Sequence, residues 1–156
     1  MNKILIAATL AIGVGSALWA QDDVPVFEVW QETPTQIFEA TDMMPDDILW
    51  QLRPLIIFAD NPLDPRFQRQ MDLVSAEIDE LAERDVIVIV DTDPTARSTW
   101  RTMLRPRGFM LALLAKDGTM QLRKPLPSNV RELSASIDKI PLRQQEIEDR
   151  RAPPIR

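Results

Sequence analysis

The residues best suited to chemistry lie in one short loop that follows an apolar run at Leu55–Ala59. Asp60, Asn61, Asp64 and Arg66 stand there, at the point where a helix is predicted to begin. Helix N-termini carry unpaired N–H groups, so this loop could hold a small anion, and its carboxylates could hold a divalent cation. The same residues also fit a structural role, in which Asp64 caps the helix and Arg66 pairs with Asp60.

Cysteine and histidine are absent from the sequence. This excludes thiol redox chemistry, Cys–His nucleophiles, zinc sites built from Cys and His, and a histidine base. Asp91-Thr92-Asp93 resembles half of a calcium-binding run, but nothing continues it at the spacing of an EF-hand loop. We therefore expect neither a metal nor a cofactor. Acid–base hydrolysis through Asp60 and Asp91 would need two carboxylates with separated pKa values in a cleft, which no sequence pattern demonstrates.

Three arginines, Arg97, Arg101 and Arg105, are spaced four residues apart. If they share a helix, they form one basic face opposite Trp100 and Leu104. Such a ridge could bind the carboxylates of a partner protein or of the chain's own acidic segment. The alternative is an ordinary solvated helix face.

Hydrophobic periodicity predicts the elements that position these residues. Two apolar runs without alternation, Leu55–Ala59 and Val86–Val90, predict strands buried on both faces. An apolar stripe from Pro65 to about Arg84 predicts the helix that connects them as a parallel pair. A short helix is predicted to start at the cap Asp93 and to end at Pro106.

The second half of the chain predicts a hairpin and a last helix. Asp117-Gly118 is a strong turn signal between the predicted strands Phe109–Ala115 and Met120–Lys124, and Ser128 is predicted to cap the helix that follows. The resulting order, β-α-β-α-β-β-α with a mixed sheet flanked by helices, is a thioredoxin-like α/β fold. In this topology the ends of the two parallel strands meet the start of the third strand, so we expect Arg107 to join the residues of the loop at one edge.

The N-terminal residues Met1–Ala20 have the pattern of a signal peptide, with one positive charge, an apolar run and small residues. We favour cleavage after Ala20, where the apolar run ends, although Ala17 fits the small-residue rule better. The alternative is a membrane anchor, for which the run is short. The sequence thus predicts an exported bacterial protein, periplasmic or secreted, with no membrane span once the leader is removed.

The net charge of −6 is unevenly distributed. Between residues 21 and 52 there are eight acidic residues and no Lys or Arg, whereas the rest of the chain is nearly balanced. We divide the mature chain into an acidic N-terminal extension (21–48), a folded domain (49–146) and a charged tail (147–156). Trp30 and its apolar neighbours predict that the extension lies along the domain as an extra strand or an irregular segment. A basic excess is lacking, which argues against nucleic-acid binding.

Several segments in the same order resemble the family known as domain of unknown function 4174. They are Leu52–Ala59, Asp64–Gln70, Glu83–Val88, Leu113–Gly118 and Ile137–Gln144. The resemblance extends over roughly Leu49 to Glu146 and implies a thioredoxin-like, peroxiredoxin-related domain of exported bacterial proteins, without a settled activity. An oxidoreductase function has been suggested for the family from its fold.

The resemblance also implies where a catalytic residue should stand. Peroxiredoxins carry their reactive Cys on the first turn of the helix after the first core strand, and here that region, Asn61–Arg66, has no sulfur. Arg107-Gly108-Phe109 is similar to the stretch that opens a peroxiredoxin strand beside its active site. We therefore expect a non-catalytic binding or interaction module whose partner is an unknown envelope protein or a small anion. The alternative is a peroxiredoxin-related oxidoreductase that acts without a thiol of its own.

Overall fold

A five-stranded mixed sheet forms the centre of the protein in the computed structural model, which describes residues 24–151. The strands are β1 (Ile37–Glu39), β2 (Arg53–Phe58), β3 (Val86–Asp91), β4 (Met110–Leu114) and β5 (Met120–Lys124). They lie in the order β1-β3-β2-β4-β5. Both β1 and β2 run parallel to β3, and β4 is antiparallel to β2 and β5. The predicted parallel pair and hairpin are confirmed, and the sheet is compatible with a thioredoxin-like α/β fold.

Helices cover both faces of this sheet. In the described part of the chain they are α1 (Val26–Glu32), α2 (Pro65–Ala76), α3 (Ile78–Ala82), α4 (Thr99–Leu104), α5 (Val130–Asp138) and α6 (Pro141–Arg151). The single helix predicted from Pro65 to Arg84 is divided at Glu77, whose φ of −135° interrupts the helical hydrogen bonding. Within residues 24–151, no helix has the length and apolar character needed to cross a membrane.

The two central strands are buried at every position, as their continuous apolar runs predicted. Side chains alternate between the faces of a strand, so each strand contributes to two cores. Ile56 packs with Trp100 and Ile48 on one face, and Leu55 packs with Val74 and Leu133 on the other. The loops at the ends of β2 and β3 are thus held by a sheet that is covered on both sides.

The described part of the acidic extension belongs to the folded core. Strand β1 adds to the edge of the sheet by pairing in parallel with β3. Trp30, on α1, and Phe38, on β1, are both buried in the core on one face of the sheet. The predicted extra strand is therefore confirmed, while α1 was not predicted. None of the described carboxylates between residues 24 and 48 forms an ion pair with Arg97, Arg101 or Arg105, so apolar packing holds this segment in place.

Helix α6 closes the sheet at the start of β2 through a network of charges. The Arg53 side chain is fully buried and donates to the Glu146 carboxylate at 2.8 Å. Lys116 pairs with the same carboxylate at 3.1 Å and with Asp85 at 2.8 Å. Arg150 reaches Asp85 at 3.2 Å. Residues 147–151 of the predicted charged tail thus continue a helix that is tied to the domain, whereas residues 152–156, like the predicted leader Met1–Ala20, lie outside the described residues.

The loop before α5 is fixed by one buried amide. Gln70 on α2 is fully buried, and its side chain accepts from the Ser128 N–H at 2.8 Å and donates to the Ser128 carbonyl at 3.0 Å. It pairs with both polar backbone groups of this buried residue. The prediction that Ser128 caps α5 is wrong, because Asn129 is the capping residue and accepts from the N–H of Glu132.

Replacing Gln70 by Leu is expected to lower the free energy of unfolding by about 2 kcal/mol, because two buried backbone groups lose their partner. Urea denaturation of the purified protein measures the change. Gln68→Leu, at an exposed position on the same helix, is the matched control and should change stability by less than about 0.5 kcal/mol. Equal effects of the two substitutions would contradict this role for Gln70.

Candidate functional site

The ends of the central strands meet at one edge of the sheet, as the topology predicted. Phe58, the last residue of β2, lies opposite Asp91 on one side and Met110 on the other. Asp60, Asp91 and the segment that opens β4 are therefore brought to the same edge. Their individual contacts determine what this edge can do.

A buried ion pair occupies the centre of the edge. The Asp91 carboxylate, 3% exposed, accepts from the Nη2 and Nε atoms of Arg101 at 2.6 and 3.0 Å. Its second oxygen accepts from the hydroxyl of Ser98, which also caps α4. The Nη2 atom of Arg101 donates further to the carbonyls of Ala59 and Asp91, and the guanidinium lies 5.5 Å from the ring centre of Phe58. These contacts bind the ends of β2 and β3 to α4.

The prediction that Arg97, Arg101 and Arg105 share one helical face is wrong. Helix α4 begins at Thr99 and ends at Leu104, so Arg97 and Arg105 lie outside it. Both have left-handed backbones, with φ of 48° and 47°, whereas Arg101 is only 12% exposed and is bound to Asp91. The three side chains therefore do not share a helical face, and Arg101 is bound within the protein.

The loop residues Asn61, Asp64 and Arg66 mainly stabilise their own backbone and the start of α2. Asn61 accepts from the N–H of Leu63 at 2.9 Å. Asp64 caps α2 by accepting from the N–H of Arg66 at 2.8 Å, and the Arg66 guanidinium donates to the same carboxylate. These hydrogen bonds from Arg66 lower the pKa of Asp64. Arg66 thus pairs with Asp64 and not with Asp60, and the structural role of the loop is the better supported one.

Asp60 and Arg66 converge above Gly108, where β4 is about to begin. A Cβ atom on Gly108 would lie 3.8 Å from Arg66 Nη2 and 3.9 Å from an Asp60 carboxylate oxygen. The φ of +63° at this position favours glycine. The Arg66 guanidinium also lies 5.6 Å from the ring centre of Phe109. Asp60 itself is mostly exposed and lies 3.9 Å from Arg101.

Arg107, directly before Gly108, lines a basic cavity of about 170 Å³. Phe109, Met110 and Pro125 supply the apolar part of the lining, and Arg107, Arg123 and Lys124 supply the charge. The Nη2 atom of Arg123 donates to the carbonyl of Leu104 at 2.9 Å and to that of Arg105 at 3.2 Å. This fixes one guanidinium at the cavity and leaves its other N–H groups available.

The three cations of this cavity differ in their partners. Lys124 is bound to Glu132, which is also hydrogen-bonded to Ser128, and these contacts lower the pKa of Glu132. Among residues 24–151, neither Arg107 nor Arg123 forms an ion pair. Sequence reasoning missed Arg123 and Lys124. The hairpin register pairs Ala112 with Arg123 and Leu111 with Lys124, so the turn at Asp117-Gly118 was the signal that could have placed them near Arg107.

The acidic residues at the other side of the edge lack the arrangement of a metal site. Asp93 accepts from the N–H and the hydroxyl of Thr95, and these hydrogen bonds lower the pKa of Asp93. Burial, with Asp42 and Asp91 nearby, raises the pKa of Glu39. In the part of the chain that the structure describes, no group of three or more His, Cys, Asp or Glu side chains could hold a metal ion.

Comparison with known proteins places the chain in a family. A search of curated proteins finds no match. A family model described as a domain of unknown function (DUF4174) matches residues 44–146, which include β2 to β5, the edge with Asp91 and Arg101, and the basic cavity. This match covers well over half of the chain, and the protein therefore belongs to the DUF4174 family.

Proposed function

We propose that this protein is a non-catalytic binding module of the bacterial cell envelope, which binds an anionic group between Arg107 and Arg123. The module is exported, and it uses a thioredoxin-like, peroxiredoxin-related domain without the thiol that redox catalysis in such domains requires. The bound group is a carboxylate or a phosphate, either on a small molecule or on a partner protein of the envelope.

The observation that carries this proposal is the pair of guanidinium groups at one cavity of about 170 Å³. A guanidinium presents parallel N–H donors that match the oxygens of carboxylate and phosphate groups. Arg123 is held in place by two backbone carbonyls, so little freedom is lost when it binds a ligand. The third cation of the lining, Lys124, is paired with Glu132, whose carboxylate also accepts from Ser128.

The non-catalytic part of the proposal rests on how the loop residues are used. Asp64 caps α2 and is paired with Arg66, and Asn61 accepts from the N–H of Leu63 within the loop. Asp91 is buried against Arg101 and Ser98, so it is not free to move a proton to or from a substrate. The whole sequence contains no Cys or His that could take over as nucleophile or base.

Arg107→Gln and Arg123→Gln are each expected to weaken the binding of inorganic phosphate or succinate by about tenfold or more, because each removes one charged donor pair. Isothermal titration calorimetry on the purified protein measures both probes, and the double variant should show no binding. Added NaCl should weaken wild-type binding through screening.

Arg131→Gln is the matched control, since Arg131 is an exposed arginine on α5 without an ion pair in residues 24–151. Unchanged affinity for the anion in the double variant, or an equal loss of affinity in the control, would contradict the proposed anion site.

A peroxide-consumption assay tests the non-catalytic part of the proposal separately. Turnover above a buffer blank would favour the oxidoreductase alternative even if the anion site were correct.

A further inference from the structure

A second cavity, of about 160 Å³, lies at the opposite end of β4 from Arg107. It is enclosed by the 3₁₀ turn Pro45–Ile48, by α4 and by the residues that follow β4. Its floor is apolar and buried, formed by Ile48, Leu52, Trp100 and Leu114. The cavity shares no lining residue with the basic one, so it requires an explanation of its own.

Large apolar side chains remain exposed around this groove. Leu49 and Met103 line it and are 37% and 47% exposed. Trp50 follows Leu49 directly and is 65% exposed. Scattered exposed apolar residues are ordinary, but a cluster at the mouth of an apolar cavity is typical of an interaction surface. Tryptophan and methionine are both enriched at the centres of protein interfaces.

The backbone holds Trp50 in this exposed position at an energetic cost. Its φ is 65°, a left-handed conformation that costs a non-glycine residue about 1 to 2 kcal/mol. Its N–H donates to the carbonyl of Lys116 at 2.6 Å, and Lys116 itself lines the groove. The backbone of Trp50 is therefore strained and fixed to a residue of the groove wall, while its side chain remains exposed. A functional surface is a common reason for such strain.

The charge of the groove lining that lacks a partner is negative. Asp46 belongs to the lining and forms no ion pair within residues 24–151, and no Lys or Arg occurs between residues 24 and 52. The cation of the lining, Lys116, is already paired with Asp85 at 2.8 Å and with Glu146 at 3.1 Å. A partner segment with basic residues would meet uncompensated acidic charge here, whereas an acidic segment would be repelled.

We propose that this groove is a docking site for a partner protein, and that it takes a segment in which an apolar side chain is flanked by Lys or Arg. The apolar side chain enters the cavity between Leu49 and Met103, and Trp50 covers it from the side. The flanking cations lie against Asp46 and the acidic surface of residues 24–52. This site is independent of anion binding at Arg107 and Arg123.

Selection from a phage-displayed library of random peptides on the purified protein tests the proposal. The enriched peptides should carry an apolar residue next to Lys or Arg. Their affinity should fall by about tenfold or more in Leu49→Ser/Met103→Ser, as expected for the loss of hot-spot contacts. Leu63→Ser/Leu126→Ser, which changes two exposed apolar residues outside the groove, should bind the peptides as the wild type does.

Three results would overturn the proposal. The first is a selection without enrichment, and the second is enrichment of acidic or uncharged peptides. The third is a dimer, measured by sedimentation velocity, that dissociates in Leu49→Ser/Met103→Ser, because a second copy of the chain would then cover the groove. An unchanged unfolding midpoint of Leu49→Ser/Met103→Ser would show that the variant is folded.

Discussion

Arg101→Leu is expected to lower the free energy of unfolding by about 3 to 5 kcal/mol, the range observed when one partner of a buried ion pair is removed. Asp91 would remain almost fully buried without its cation, and only the hydroxyl of Ser98 would still donate to it. The carbonyl of Ala59 would also lose a donor. Urea denaturation followed by circular dichroism measures the change.

Two further variants separate the ion pair from general effects of substitution. Arg105→Leu removes an exposed arginine without an ion pair in residues 24–151, and it should change stability by less than about 0.5 kcal/mol. Asp91→Asn/Arg101→Leu should recover part of the loss, because no buried charge is then left unpaired. A loss below about 1 kcal/mol in Arg101→Leu would mean that water reaches Asp91 and that the edge is not a closed structural joint.

Glu146→Gln should lower the free energy of unfolding by about 3 kcal/mol at neutral pH, since three charge-assisted contacts, from Arg53, Lys116 and Arg143, are weakened. Burial works against the charged form of Glu146, but the hydrogen bonds from Arg53 and Lys116 outweigh it, and the pKa of Glu146 is lowered. Within residues 24–151, the fully buried Arg53 would keep Asp85, at 3.7 Å, as its one anionic neighbour.

The same change predicts a pH dependence with a definite sign. A carboxylate whose pKa is lowered on folding stabilises the protein above its unfolded pKa of about 4.5, and this contribution is lost as the pH falls through the folded value. The difference in stability between wild type and Glu146→Gln should therefore shrink as the pH is lowered below about 4.5. Glu148→Gln, at an exposed position of the same helix, is the control. A pH-independent difference would show that the substitution acts through packing rather than through charge.

The central sheet could be predicted from the sequence because its residues leave few alternatives. Val86–Val90 is a run of β-branched residues that fits only a strand buried on both faces, and Asp117-Gly118 fixes the hairpin that follows. The positions at which the strands end determine which side chains lie at the same edge of the sheet. The prediction that Asp60, Asp91 and the start of β4 meet was therefore correct.

The candidate site could be predicted only in part, because it depends on backbone states that sequence patterns do not reveal. Arg97 and Arg105 adopt left-handed conformations, which are uncommon for arginine. These two residues lie just outside the two ends of α4. If these helix ends are not known, the spacing of four residues between the three arginines indicates one continuous helix with Arg101 exposed on its surface. The burial of Arg101 against Asp91 follows from tertiary contacts between α4 and the end of β3. Arg123 was missed because it is remote in sequence from Arg107 and joins it only through the hairpin.

Two clusters of buried ion pairs hold the fold together. One ion pair joins the ends of β2 and β3 to α4, and another network joins the start of β2 to α6. Small domains in oxidising compartments are often held together by disulfides. Here the two joints are held by carboxylates and guanidinium groups, which neither oxidant nor reductant alters. The joint at Glu146 thus responds to acidity rather than to thiol oxidation, because the pKa of this carboxylate is lowered in the folded protein.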